Sequence, residues 1–178
     1  MYLFSNKIFK KFIKFVFLAV RPILFRISMR KCTHFQYLCL KLLGVDFKGH
    51  PKYLSAKIWF DGADYSKIHI GNRVTISSNI RILTHDWALD TIIEGFNYNN
   101  IKRPIGKLKD IEIGDHSFIG TGSIIMPGVK IGKCCIIGAG TIVRGNVPDY
   151  SICIGNPSLI LEERTDTYLD RFLEKHHH

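Results

Sequence analysis

The stretch that decides the fold runs Ile113-Gly-Asp-His-Ser-Phe118, Ile119-Gly-Thr-Gly-Ser-Ile124, Ile125-Met-Pro-Gly-Val-Lys130, Ile131-Gly-Lys-Cys-Cys-Ile136, Ile137-Gly-Ala-Gly-Thr-Ile142, Val143. A β-branched residue recurs at every sixth position, six times, and glycine follows four of them, at 114, 120, 132 and 138. A helix needs an apolar period near 3.6 and a half-buried strand a period of 2, so neither accounts for it. A period of six in a glycine-rich setting is the pattern of a β-helical repeat, each six being a short strand and a turn. The β-branched residue is expected to point inward and stack on its equivalents above and below. The glycines are expected to supply turn angles closed to other residues.

The same phase appears earlier, at Ile70, Ile76 and Ile82. From Ile82 to Ile113 is 31 residues, not a multiple of six, so a loop must leave the repeat between them. The expected excursion is 86–110. It holds Trp87, Phe96, Tyr98, three asparagines (Asn97, Asn99, Asn100) and Lys102-Arg103. Aromatic faces, amides and cations together suit a sugar-binding surface.

Charge is unevenly placed. Residues 1–52 contain 11 Lys/Arg and one acid, Asp46, whereas the remaining 14 Lys/Arg are balanced by 14 acids, so the net +10 lies wholly in the N-terminal segment. That segment, 1–44, reads as helical, with Lys7, Lys10, Lys11 and Lys14 on one stripe and Phe-rich apolar surface beside it; a second helix spans about 33–43, with Gly44 as its C-cap. Its longest apolar run, Phe15 to Val20, is too short for a membrane span of roughly 18 residues. No small-residue cleavage site follows it, which argues against a signal peptide. A basic, Phe-rich helix lying on an anionic membrane surface through residues 1–31 fits better, with packing on the coil or on another subunit as the alternative. No base-reading motif points to nucleic acid. The five cysteines (32, 39, 134, 135 and 153) show no C-x-x-C spacing and read as reduced thiols in a cytoplasmic protein, with no metal site. Residues 159–174 read as a short C-terminal helix capping the repeat, and His176–His178 as the remnant of a purification tag.

The run Phe118-Ile119-Gly120, then Met126-Pro127-Gly128-Val129-Lys130-Ile131-Gly132, Ile137-Gly138-Ala139-Gly140-Thr141-Ile142-Val143, Pro148 and Gly155-Asn156-Pro157, resembles the hexapeptide-repeat acyltransferases. Within them it is most similar to O-acetyltransferases of the galactoside and maltose type and to those acting on bacterial surface polysaccharides. The resemblance covers about 45–160 as one domain, followed by a cap at 161–175. It implies an all-β, left-handed parallel β-helix with amphipathic helices before it, a homotrimer with active sites in clefts between subunits, and acetyl-CoA as co-substrate.

Thr84-His85-Asp86 stands where that family places its catalytic histidine. His85 is therefore expected to be the general base, since an alcohol at neutral pH is a poor nucleophile. Asp86 is expected to orient His85 or to hold a sugar hydroxyl; Asn79, Trp87 and Tyr98 are candidate acceptor contacts. The resemblance assigns the cofactor to Phe118, Gly120, Thr121, Gly138 and Ala139, with Arg144 or Lys133 toward its phosphates. Ser158-Leu159 departs from the usual Ala then Lys or Arg and removes one expected phosphate contact. The implied reaction is acetyl transfer to a sugar hydroxyl of a cell-surface glycan or its lipid-linked precursor, at the inner face of the bacterial plasma membrane. The alternatives are N-acetylation of an amino sugar nucleotide and a non-catalytic scaffold. A γ-type carbonic anhydrase on this fold needs three histidines on a metal, two of them five apart, and none before the terminal His run are so spaced.

Overall fold

The structure is a computed structural model describing residues 7–62, 64–96 and 106–176. Two helices, α1 (Lys7–Ile27) and α2 (Met29–Leu43), precede the coil. The first circuit is β1 (Asp46–Phe47), β2 (Tyr53–Leu54) and β3 (Trp59–Phe60); the second is β4 (Ile68–Ile70), β5 (Thr75–Ile76) and β6 (Arg81–Ile82). The chain then departs through β7 (His85–Asp86), α3 (Ala88–Gly95) and β8 (Lys107–Leu108). It rejoins at β9 (Ile111–Ile113), β10 (Phe118–Ile119) and β11 (Ile124–Ile125), and continues with β12 (Lys130–Ile131), β13 (Ile136–Ile137) and β14 (Ile142–Val143). Last come β15 (Asn146–Val147), β16 (Ser151–Ile154), β17 (Leu159–Arg164) and α4 (Thr165–His176).

Successive strands visit three sheets in rotation. The first sheet is ordered β1-β4-β9-β12-β15, the second β2-β5-β10-β13-β16 with β17 on its edge, and the third β3-β6-β11-β14. All of these pairings are parallel except β16 with β17. Ile125 pairs with Val143, 18 residues on, so one circuit is three sixes. Ile82 pairs with Ile125, 43 residues on, and the surplus of 25 is the excursion.

The repeat isoleucines are the core. Ile70, Ile76, Ile82, Ile113, Ile119, Ile125, Ile131, Ile137 and Val143 are all buried, each worth about 1.5–3 kcal/mol of apolar transfer. A second inward position lies two residues before each of them: it is isoleucine at 68, 80 and 111 and smaller at Val74, Ser117, Ser123, Val129, Cys135 and Thr141. Its hydroxyls are satisfied by backbone, Ser117 Oγ donating to Gly132 O at 2.7 Å and Ser123 Oγ to Gly120 O at 2.8 Å. The adjacent cysteines thus divide: Cys135 fills a core slot, and Cys134 sits on a corner with φ 53°.

The glycines after the isoleucines serve a different purpose from the one their position predicts. The left-handed residues are those in the fourth place of each six, among them Arg73, Asn79, His116, Gly122, Cys134 and Gly140. Gly120, by contrast, lies under the next circuit, where a Cβ would stand 2.6 Å from Ala139 N and Ile137 O. Close stacking of backbone, not turn angle, requires glycine there.

Both open ends of the coil are covered. Gly44 caps α2 with φ 123°, and the buried face of α2 meets the free edge of β2. There Gln36 Nε2 donates to Leu54 O at 2.7 Å and Leu54 N donates to Thr33 Oγ1 at 3.2 Å. At the other end the expected helix over 159–174 is in part a strand. β17 turns back antiparallel on β16, Cys153 opposite Ile160, and it is this strand that occupies the edge of the second sheet. α4 follows, with Tyr168, Leu169 and Phe172 exposed, so it does not pack down as a cap.

Candidate active site

Leaving β6, the chain turns inward for one residue before it departs. Leu83 N still bonds Ile125 O, and Thr84 is fully buried. Its backbone N–H and its hydroxyl both donate to the carboxylate of Asp61, the hydroxyl at 2.9 Å. Asp61 follows β3, one circuit below, and its own N–H donates to Ile82 O at 3.2 Å. The next residue, His85, places Nδ1 2.9 Å from Asp61 Oδ2. The Asp61 side chain is 1% exposed and that of His85 23%.

A carboxylate can only accept, so the proton of the neutral imidazole sits on Nδ1 and the lone pair on Nε2. No described residue hydrogen-bonds Nε2. A buried carboxylate that fixes the tautomer and ring orientation of a half-open histidine is the arrangement of a general base and its orienting partner. The backbone around it is clamped as well, His85 pairing with Leu108, Asp86 with Lys107, and Lys109 N donating to Thr84 O.

The expectation that Asp86 orients His85 is corrected. Adjacent residues of a strand point to opposite sides. Asp86 is exposed and accepts from Ala88 N at 2.9 Å, at the start of α3. Trp87 lies beside His85, ring centroids 5.5 Å apart, and rests over Gly106, where any side chain would run into the indole. Tyr98 lies outside the described residues.

The other expected residues fall on separate corners of the coil. His85, Trp87 and Arg144 belong to the corner between the third and first sheets, where Asp86, Lys109, Met126, Pro127 and Arg144 line a cavity of about 300 Å³. Gly120, Thr121, Gly138 and Ala139 occupy the corner between the second and third sheets, with Phe118 exposed on the second sheet below it. Thr121 and Ala139 are exposed there, but Gly120 is buried beneath the next circuit and offers no bare backbone outward. Asn79 shares that corner one circuit lower and lines a cavity of about 510 Å³ with Lys57, Trp59 and Arg81. Lys133 is on the remaining corner, its Nζ 3.9 Å from Asp149 and over the Tyr150 ring. Among the described residues no group of three or more His, Cys, Asp or Glu is placed to hold a metal ion.

Asp61, Trp59 and Arg81 are the residues the sequence reading missed. Asp61 sits in Asp61-Gly-Ala-Asp64, a composition that by itself indicates a turn; pairing of Trp59 with Arg81 across circuits is what brings it to His85.

Comparison with known proteins follows the same lines. Residues 110–145 match the family described as bacterial transferase hexapeptide (six repeats). Protein CapG of Staphylococcus aureus is 35% identical over 135 residues, 76% of this chain and 74% of the relative. The chain belongs to the hexapeptide-repeat acyltransferases. A galactoside O-acetyltransferase of Lactococcus lactis is 32% identical over 106 residues, 58% of this acyltransferase but only 47% of the relative's length. Among solved structures, a maltose O-acetyltransferase from Clostridium difficile superposes with TM-score 0.56 at 22% identity, covering 83% of this chain and 84% of the other. A galactoside acetyltransferase in complex with coenzyme A gives 0.57 at 18%, covering 88% and 78%. At these identities the superpositions establish the shared fold of this acyltransferase.

Proposed function

We propose that the protein transfers an acetyl group from acetyl-CoA to a sugar hydroxyl of a bacterial cell-surface polysaccharide or its lipid-linked precursor, with His85 as base. The observation that carries this reading is the Asp61–His85 pair, which leaves Nε2 as the proton acceptor. The acceptor hydroxyl gives its proton to Nε2 as its oxygen attacks the thioester carbon. The tetrahedral intermediate collapses with cleavage of the C–S bond, and the imidazolium returns the proton to the departing sulfur. Asp61 stabilises that imidazolium and holds its orientation. The donor lies along the later circuits, against Phe118, Thr121 and Ala139, with Arg144 toward its phosphates. Trp87 and Asn79 face the acceptor, and Asp86 is free to take one of its hydroxyls.

Within one chain the third sheet separates the His85 corner from the Thr121–Ala139 corner. This separation supports a site completed between subunits: in the proposed homotrimer of left-handed coils, one subunit's His85 meets its neighbour's donor-binding corner. The relatives named as acetyltransferases and the neighbour complexed with coenzyme A support the donor. The acceptor class draws support from the charge of residues 1–52 and from α1. Ile8, Phe12, Phe15 and Ile23 share one sector of that helix and are all exposed. Lys7 and Lys11 flank them, with Lys14 over the Tyr65 ring. No described helix is long and apolar enough to cross a membrane, and α1 suits one lying on the surface of the inner leaflet. The test is acetyl transfer to a panel of glycans by the intact protein and by His85→Ala. A loss of kcat of about a thousandfold or more, with acetyl-CoA binding retained, is the expected result; unchanged transfer by the variant would falsify the assignment.

A further inference from the structure

Between α2 and the first two circuits lies an open groove of about 940 Å³, away from the His85 corner and from the later circuits. Among the described residues four cations line it, Arg30, Lys31, Lys52 and Arg73, and no acidic residue does. The apolar part of its wall is formed by Met29, Phe35, Leu38 and Tyr53. Met29 and Leu38 are exposed there, and Met29 stands two residues from Ile27, the last apolar residue on the outer surface of α1. A patch of four cations beside continuous hydrocarbon has a complementary ligand: an anion with an apolar tail.

Two histidines, His34 and His50, also line this groove. His50 Nδ1 lies 2.9 Å from Pro51 O and must donate to it, so His50 Nε2 accepts from His34 Nδ1 at 3.1 Å. The two rings, stacked with centroids 5.4 Å apart, join α2 to the turn before β2.

We propose that this groove binds the phosphate or diphosphate head of a membrane lipid together with the first part of its hydrocarbon chain. The head is held by Lys52, Arg73 and Arg30, and the chain passes Phe35 and Leu38 toward Met29 and Ile27. From there it continues into the membrane on which α1 lies. The proposal deepens the lipid-linked acceptor reading and rests on it for the source of the lipid; the groove itself is tested without catalysis.

The probe is decyl phosphate below its micelle-forming concentration, titrated calorimetrically into the intact protein with no acetyl-CoA present. Saturable binding is expected, tighter by about tenfold or more than that of inorganic phosphate or decyl maltoside. The exposed pair Lys52→Gln/Arg73→Gln is expected to lose about tenfold in affinity with unchanged Tm, as is Leu38→Glu. Equal binding of the neutral detergent, or full retention in both variants, would overturn the proposal. Phe12→Ser/Phe15→Ser separates it from the membrane reading, because this variant is expected to lose vesicle binding and keep decyl phosphate. Loss of decyl phosphate as well would put the ligand on α1 and sink the groove. An enzyme that binds decyl phosphate but acetylates soluble and lipid-linked sugars alike would leave the groove standing and remove the acceptor reading.

Discussion

In the coil, Ile113, Ile119, Ile125, Ile131 and Ile137 are buried to within 3% of complete. In α1, Ile8, Phe12, Phe15, Ile23 and Ile27 are all exposed, Ile8 by 75%. Both stretches are rich in large apolar residues, yet only the coil consumes them in its own packing. A helix seated on a coil has one committed sector, here Phe17, which belongs to the core cluster, and Ile13, which packs against it. Its other side must be polar or find something else to touch. The coil offers no such choice, because each strand's inner position is enclosed by the strands above and below. Apolar residues in the coil therefore report on folding, and those on the outer side of α1 report on what the protein meets.

That contrast can be broken at several points. Ile137→Ala should cost about 2–5 kcal/mol of stability, since the stacked backbone cannot collapse into the space; Phe15→Ala should cost within about 0.5 kcal/mol. Denaturant titration of both variants compares them directly, and similar losses would mean that α1's outer face is packed. Vesicle flotation addresses the other half. The wild-type protein should bind anionic vesicles, more weakly as salt rises, and Phe12→Ser/Phe15→Ser should lose that binding with Tm unchanged. A finer test uses the cysteines. Burial pushes the thiols of Cys32, Cys39, Cys135 and Cys153 upward, so they hold little reactive thiolate at pH 8. Cys134, on its corner, should alkylate first, with mass spectrometry finding one modified thiol in the native protein. Modification of Cys135 at a comparable rate would contradict its place in the core.

The sequence reached furthest where the period held. The spacing of the isoleucines yields a coil built in sixes, and the misfit of 31 residues after Ile82 locates the excursion that follows His85. It reached least where contacts cross circuits. Asp61 is 24 residues before His85 and meets it only because β3 and β6 lie side by side. The glycine after four of these repeat positions reads as a turn residue, because local sequence cannot show the backbone of the next circuit lying against it. Residues 159–164 carry apolar and acidic residues that suit a helix, but the free edge of β16 takes them as a strand. Helix α3 is only eight residues long and lies inside the excursion, which reads from sequence as a loop.

The most direct test of the central claim is single-turnover acetyl transfer by Asp61→Asn, with acetyl-CoA affinity measured in parallel. The amide can donate to His85 Nδ1, which would turn the imidazole to the tautomer with its proton on Nε2. The account predicts a chemical step slowed by about a hundredfold or more, with donor affinity retained and the fold intact. A transfer rate equal to that of the wild type would show that His85 does not depend on Asp61, and the proposed base would lose its foundation.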